Sequence, residues 1–302
     1  DNRGKSDKNI LKEKSDRGKW YVSNVDEVLN KSKEQPAITE QIDEVKSMNE
    51  IVNHSGGAYG GDTFWDIIGR EFDVINHKHY RDTGNTSLSK QLRDKGIKAE
   101  VLSKEQMDKA RTEVENLLGK KYPDTLQGNL QVRNYYQVAN SDGVFAIAKL
   151  DIDKDFKSTS VLGGTNTAVQ LGIKLNKPVY VWDIFTEKWY KFDTDLNQFE
   201  LTETPVLTKN FAGVGSRDIE GYNVQDKETG KWQPRKEYVG KEKEEKAKQA
   251  IRDVYEKTQQ SLLKPQEQID EKQDVKPASG ELIPAKKEIT KEDTDKLPPC
   301  IG

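Results

Sequence analysis

The chain has almost no cysteine. Its one cysteine, Cys300, lies two residues from the end of the 302-residue sequence, which excludes an internal disulfide framework and a cysteine-rich zinc site. Long hydrophobic runs are also missing, since no apolar stretch approaches the roughly 18 to 20 residues that cross a bilayer. The charged N-terminus lacks the apolar core of a signal peptide. We therefore expect a cytoplasmic protein with no membrane partner.

Apolar residues are scarce as well. Hydrophobic and charged residues each make up 33% of the chain, and the mean hydropathy is −0.92. Residues 1–19 and 263–302 contain no aromatic side chain, so neither segment buries enough apolar surface to offset its ordering entropy. We predict two disordered tails over these segments and one domain over residues 20–262. The chain begins at Asp1, which suggests a processed product or part of a larger polypeptide.

No charge of one sign dominates. The 49 basic and 52 acidic residues are interspersed and leave a formal net charge of −3, so no basic face exists for a phosphate backbone and nucleic acid is not an expected partner. His77 and His79 lie two residues apart, which turns both rings to one side of an extended strand. Zinc-site spacing is absent around them, and no metal is expected.

Short apolar runs alternate with helical patterns in residues 20–262, which indicates βα units around a mainly parallel sheet. A capping box at Ser103 and Gln106 starts one helix, an apolar stripe over residues 247–258 marks another, and alternation over residues 182–205 predicts an antiparallel insertion. The predicted class is α/β, with a Rossmann-like sheet and flanking helices. The predicted strands cover residues 50–52, 72–75, 143–147, 178–182 and 211–214.

Three glycine-rich turns follow predicted strands: residues 55–62 (SGGAYGGD), 163–168 (GGTNTA) and 213–218 (GVGSRD). Glycine lets the backbone approach an anion, and a following helix offers free N–H groups and a positive dipole end. Turns at the carboxyl ends of parallel strands meet at one crevice. The candidate ligand-binding residues are His54, Ser55, Gly56, Gly57, Ala58, Gly61, Asp62, Gly163, Gly164, Thr165, Gly215, Ser216 and Arg217.

Taken together, these motifs resemble the SLOG superfamily of Rossmann-like proteins, and within it the putative molybdenum carrier branch found in phage and plasmid polypeptides. The resemblance covers about residues 49–258 and implies a sheet that binds nucleotides or nucleotide-derived sugars. In most relatives the Gly-Ser-Arg strand comes first, whereas here it comes last, so the resemblance implies a circularly permuted chain. The matching segments are SGGAYGGD (55–62), DGVFAI (142–147), GGT (163–165), KPVYV (177–181) and GVGSR (213–217).

Some relatives, of the LOG type, are phosphoribohydrolases whose PGGxGTxxE motif supplies a catalytic glutamate. This chain has Gln170 at that position, and an amide neither accepts a proton as a base nor stabilises a cationic sugar by charge. Asp62 and Asp142 remain as candidate catalytic residues, with helix capping and the start of a strand as their alternative roles. No cofactor is specified beyond a nucleotide-type ligand.

The sequence therefore favours a domain that senses, carries or sequesters a nucleotide-like small molecule without turning it over. Two alternatives remain open. One is an N-glycosidic hydrolase that acts on a nucleotide, and the other is a protein-interaction module of a larger phage or plasmid protein. A homo-oligomer is also left open.

Overall fold

The computed structural model describes residues 45–82, 88–154, 157–226 and 228–263. The predicted tail at residues 1–19 lies outside these ranges, and only Leu263 of the predicted tail at residues 263–302 is described. The described residues form an eight-stranded sheet, two two-stranded sheets and flanking helices. The predicted α/β class with a mainly parallel sheet is confirmed.

The described elements are named in chain order. The strands are β1 Val52–Ser55, β2 Asn76–Asp82, β3 Glu100–Leu102, β4 Gly143–Ala148, β5 Leu150–Ile152, β6 Ser158–Val161, β7 Val179–Asp183, β8 Lys188–Asp193, β9 Gln198–Thr202, β10 Asn210–Gly215, β11 Asn223–Gln225 and β12 Trp232–Pro234. The helices are α1 Gly61–Glu71, α2 Lys90–Asp94, α3 Lys104–Leu118, α4 Leu126–Val132, α5 Asn134–Ala139, α6 Thr165–Lys174 and α7 Lys241–Leu263. Short 3-10 turns cover Met48–Glu50 and Arg217–Ile219.

The order of strands in the large sheet is β3-β2-β1-β10-β4-β7-β8-β9. The pairs from β3 to β7 are parallel, and β8 and β9 add an antiparallel edge. From β1 the chain moves outward to β2 and β3, whereas from β4 it moves the other way to β7. The direction therefore reverses around β1, β10 and β4, and the carboxyl ends of these strands flank the crevice where open α/β sheets bind ligands.

Helices cover both faces of this sheet. All six residues of β4 are buried, with Val144 and Ala146 in the core beneath α3, α5 and α6 and with Phe145 and Ile147 in the core beneath α1 and α7. Trp65 of α1 anchors the second core at 0% exposure. Burial on both faces explains why the parallel strands are near-continuous apolar runs.

Most predicted elements are confirmed, but the strand predicted at residues 72–75 is wrong. That run closes α1 instead. The N–H groups of Phe72 and Val74 both donate to the Gly69 carbonyl, at 3.0 and 2.9 Å, and Asp73 takes a left-handed φ of 61°. The strand starts only at Asn76. Apolar residues occur both in the turn that ends a helix and in a strand. The apolar pattern of residues 72–75 therefore does not distinguish the two.

The capping box is confirmed, because the Ser103 side chain accepts the Gln106 N–H and the Gln106 side chain accepts the Ser103 N–H. The antiparallel insertion is confirmed as β7, β8 and β9. The strand predicted at residues 50–52 lies slightly later, as β1 Val52–Ser55. Among the described helices, none is long and apolar enough to span a membrane.

Candidate functional site

The first and third glycine turns meet at the crevice and pack backbone against backbone. The Gly61 N–H donates to the Ser216 carbonyl at 3.3 Å, and the Gly215 N–H donates to Asp62 Oδ1 at 2.9 Å. A Cβ on Gly215 would lie 2.6 Å from the Gly61 Cα, closer than any side chain tolerates. Glycine is required at this junction because two main chains touch there.

The first turn directs its donors to oxygen atoms of the protein itself. The Gly57 N–H donates to Ser55 Oγ at 3.3 Å, and the Gly60 N–H donates to the Glu220 carboxylate. The backbone of Ala58 lowers the pKa of the Asp62 carboxyl group, against the larger effect of burial. Oxygen atoms of the protein therefore already accept the N–H groups of Gly57 and Gly60, which the sequence suggested as donors to a ligand anion.

Arg133 lies beneath the first turn and holds it in place. It is only 5% exposed, and its Nη1 donates to the carbonyls of Gly56 at 2.9 Å and Tyr80 at 3.0 Å. A Cβ on Gly56 would lie 2.5 Å from Arg133 Nη2 and 2.9 Å from Asp62 Oδ2. No motif in the sequence marks Arg133, because only the fold brings the end of α4 to the carboxyl ends of β1 and β2.

A buried cluster of opposite charges surrounds this guanidinium. Burial raises the pKa of Asp62, against the opposing effects of Arg133 and the Gly215 N–H. Burial lowers the pKa of Arg133, the carboxylates of Asp62 and Asp82 oppose that shift, and Arg217 adds to it. Because Asp62 is buried and bonded to the third turn, it ties the two turns together.

The side chain of His54, one of the candidate ligand-binding residues, lies beside Tyr80 of β2. Its Nδ1 lies 2.9 Å from the Tyr80 hydroxyl, on the sheet face opposite to that of its neighbour Asn53. Burial, helped by Lys78, lowers the pKa of His54 to about 4, and Asp142 acts in the opposite direction. His54 is therefore a buried neutral residue beside a tyrosine, turned away from the crevice.

His77 and His79 lie on one side of β2, as their spacing predicted, with rings 6.3 Å apart and nearly parallel. Both face Asp66 of α1, whose Oδ2 lies 2.7 Å from His79 Nε2 and 3.6 Å from His77 Nδ1. Burial favours a higher pKa for Asp66, but hydrogen bonds from His79 and Arg70 outweigh it and hold the pKa well below its usual range. Within the described ranges, no group of three potential metal ligands forms.

Asp142 lies at the opposite edge of the sheet from the glycine turns. Its Oδ2 accepts the backbone N–H and the side-chain amide of Asn210, both at 3.0 Å, and so joins the starts of β4 and β10. The strand-start role weighed for Asp142 fits this geometry. The two candidate carboxylates, Asp62 and Asp142, do not share a site.

The second glycine turn lies open at the start of α6. Gly163 and Gly164 are exposed, with no heavy atom within 4 Å of a Cβ built on either. A cleft of about 380 Å³ runs from this turn along one face of α6. Its lining residues are Leu118, Lys120, Tyr122, Gln127, Gln131, Gly163, Gly164, Asn166, Thr167, Gln170 and Lys174.

The described lining of this cleft contains two lysines and four carboxamides but no carboxylate. The Thr167 hydroxyl donates to Gln131 Oε1 at 3.3 Å, which links α6 to α4 two residues before Arg133. Gln170 Nε2 donates to the Thr159 carbonyl at 2.8 Å. A glutamate at position 170 would set a charged oxygen against that carbonyl, so the amide has a structural use here.

Arg217 starts the 3-10 turn after β10 and is exposed at the crevice. Two turns in mutual contact and an exposed arginine thus lie at the crevice. The second turn, by contrast, follows β6 of a separate antiparallel two-stranded sheet and opens onto its own cleft, so the three turns do not all follow strands of the parallel sheet as predicted. No family model, curated protein or solved structure matches this chain.

Proposed function

We propose that this chain binds a phosphate-bearing, nucleotide-type small molecule in the cleft along α6 and does not turn it over. The observation that carries the proposal is the composition of the cleft: an exposed glycine turn, two lysines, four carboxamides and no carboxylate among the described lining residues.

The chemistry of this cleft suits an anion joined to a polar body. The Asn166 and Thr167 N–H groups donate to carbonyls within the turn, so the start of α6 presents the N–H groups that precede them and the positive end of the helix dipole to a phosphate. Lys120 and Lys174 add positive charge without an acidic side chain beside them in the lining. The side-chain amides of Gln127, Gln131 and Gln170 carry both donors and acceptors, which match sugar hydroxyls and the edge of a base.

The same residues argue against catalysis. Hydrolysis of an N-glycosidic bond needs a general acid or a charged stabiliser at the sugar. In the cleft, Gln170 stands where LOG-type relatives have the catalytic glutamate, and its Nε2 donates to the Thr159 carbonyl. Asp62 is buried in the first turn with the Gly215 N–H on its carboxylate. The positions of Gln170 and Asp62 therefore favour binding of the ligand without its hydrolysis.

Thermal unfolding in the presence of AMP, ADP, NAD and ADP-ribose tests the proposal. A ligand at a hundredfold excess over its Kd adds about 2.7 kcal/mol, or about 5 to 10 °C for a domain of this size. The double variant Lys120→Gln with Lys174→Gln should weaken binding at least tenfold, about 1.4 kcal/mol. The matched control is Lys98→Gln with Lys109→Gln, which removes two exposed lysines outside the cleft.

Two results would count against this function. Unfolding midpoints that none of these compounds raises at millimolar concentration would remove the binding claim, as would equal binding by the two double variants. Release of a free base from AMP or NAD by the wild type, and its loss in Asp62→Asn, would show that the chain is a hydrolase and contradict binding without turnover.

A further inference from the structure

Tyr122 differs from the other buried tyrosines in the described part of the chain, because its hydroxyl has no hydrogen-bond partner there. Tyr122 is only 5% exposed. The hydroxyls of the other three, Tyr80, Tyr190 and Tyr255, all have partners at 2.7 to 3.2 Å. A buried tyrosine normally satisfies its hydroxyl. The hydroxyl of Tyr122 therefore points to a partner from outside the chain.

Tyr122 lines the α6 cleft, and its main chain is held on both sides by α3. Its N–H donates to Glu115 Oε1 at 2.9 Å, and its carbonyl accepts Arg111 Nη1. Its ring belongs to the core beneath this face of the sheet, whereas its hydroxyl oxygen is not sealed from solvent. The hydroxyl is therefore the group that a fixed Tyr122 offers to the cleft.

The groups around Tyr122 suit a sugar that is joined to a phosphate. Lys120 Nζ lies 5.5 Å from the centre of the Tyr122 ring, and the next lining residues along the chain, Gln127 and Gln131, are neutral. Cations and helix starts are the groups that bind phosphate strongly. A neutral hydroxyl that both donates and accepts matches a sugar hydroxyl. In a nucleotide the sugar is bonded directly to the phosphate, so both kinds of group are needed side by side.

We infer that the Tyr122 hydroxyl determines the specificity of the α6 cleft by forming a hydrogen bond with a sugar hydroxyl of the ligand. This role of Tyr122 rests on the binding function proposed above and narrows its ligand class. The ligand is a phosphorylated sugar or nucleotide whose sugar hydroxyls are free, rather than a bare phosphate or a dideoxynucleotide.

The test is calorimetry of the wild type and Tyr122→Phe with AMP and with dideoxy-AMP, which lacks both ribose hydroxyls. The wild type should bind AMP about fivefold more tightly than dideoxy-AMP, the effect of one hydrogen bond. Tyr122→Phe should bind AMP about fivefold more weakly than the wild type does and should bind the two compounds equally. Its midpoint of urea unfolding should match that of the wild type, because the hydroxyl has no protein partner to lose.

Tyr255→Phe is the matched control. It removes a buried hydroxyl that donates to the Trp65 carbonyl at 2.7 Å, in the core on the other face of the sheet. This variant should unfold at lower urea concentration and keep the preference for AMP over dideoxy-AMP.

Three results would overturn the inference. Equal binding of AMP by Tyr122→Phe and the wild type would do so and leave the proposed function standing. Weaker binding of inorganic phosphate by Tyr122→Phe would show that the hydroxyl contacts the phosphate instead of the sugar. Absence of AMP binding by the wild type would also remove this role of Tyr122, and the proposed function would fail with it only if ADP, NAD and ADP-ribose do not bind either.

Discussion

Acidification from pH 7.5 to pH 5 is expected to weaken the folded state through buried histidines, and His54 gives the cleanest test. Burial lowers the pKa of His54 to about 4, whereas the unfolded chain protonates a histidine near pH 6.5. Between these two pKa values the unfolded state binds a proton at His54 and the folded state does not, so the free energy of unfolding falls as the pH falls. Linkage gives a loss of about 2 kcal/mol from this one group between pH 7.5 and pH 5.

The assay is urea unfolding, followed by tryptophan fluorescence, of the wild type and His54→Asn at several pH values in this range. Asparagine keeps a polar atom near the Tyr80 hydroxyl, which His54 contacts at 2.9 Å, but it does not titrate. The variant should therefore lose about 2 kcal/mol less than the wild type. Burial also lowers the pKa of His77 to about 4, but both proteins contain His77 and its effect cancels. Equal losses in the two proteins would refute the buried neutral state of His54.

Three further predictions concern the glycine turns and Asp142, the candidate carboxylate that lies away from them. Arg133→Met should cost about 2 to 4 kcal/mol in urea unfolding because it leaves the buried carbonyls of Gly56 and Tyr80 without their charged donor, whereas Arg217→Met at an exposed position should stay within about 0.5 kcal/mol. Gly215→Ala should cost about 1 to 3 kcal/mol by overpacking the contact between turns, whereas Gly164→Ala, with open space around it, should leave the unfolding midpoint nearly unchanged. Asp142→Asn should leave nucleotide binding unchanged in calorimetry, because Asp142 lies at the opposite edge of the sheet from the turns.

Elements with a local cause were predictable from sequence. Strand β4 is a run of small and apolar residues because helices cover it on both faces. Helix α3 starts where its capping box predicts, since Ser103 and Gln106 satisfy each other's N–H groups within one turn. The strand predicted at residues 72–75 failed because its apolar residues serve the closing turn of α1, where Phe72 stacks on Tyr255 of the distant α7.

Long-range partners decided the site. No motif marks Arg133 or Glu220 in the sequence. Glu220 nevertheless accepts the N–H of Gly60 in the first turn, 160 residues earlier in the chain. Asp62 and Asp142 looked equivalent as acidic residues beside strand ends. The parallel sheet places Asp62 at its carboxyl edge and Asp142 at its amino edge, so only one of them lies by the glycine turns.

The sequence by itself determined the α/β class, the parallel strands of the core and the three glycine turns, because apolar periodicity and turn chemistry act over neighbouring residues. Only the tertiary structure decided which of these turns donate their N–H groups to acceptors within the protein. The first and third turns close on each other and on buried carboxylates, whereas the second stays open beside a cleft without acidic lining among its described residues. Occupancy of a backbone donor depends on which acceptor the fold brings within hydrogen-bonding distance, and those acceptors lie far away in the chain.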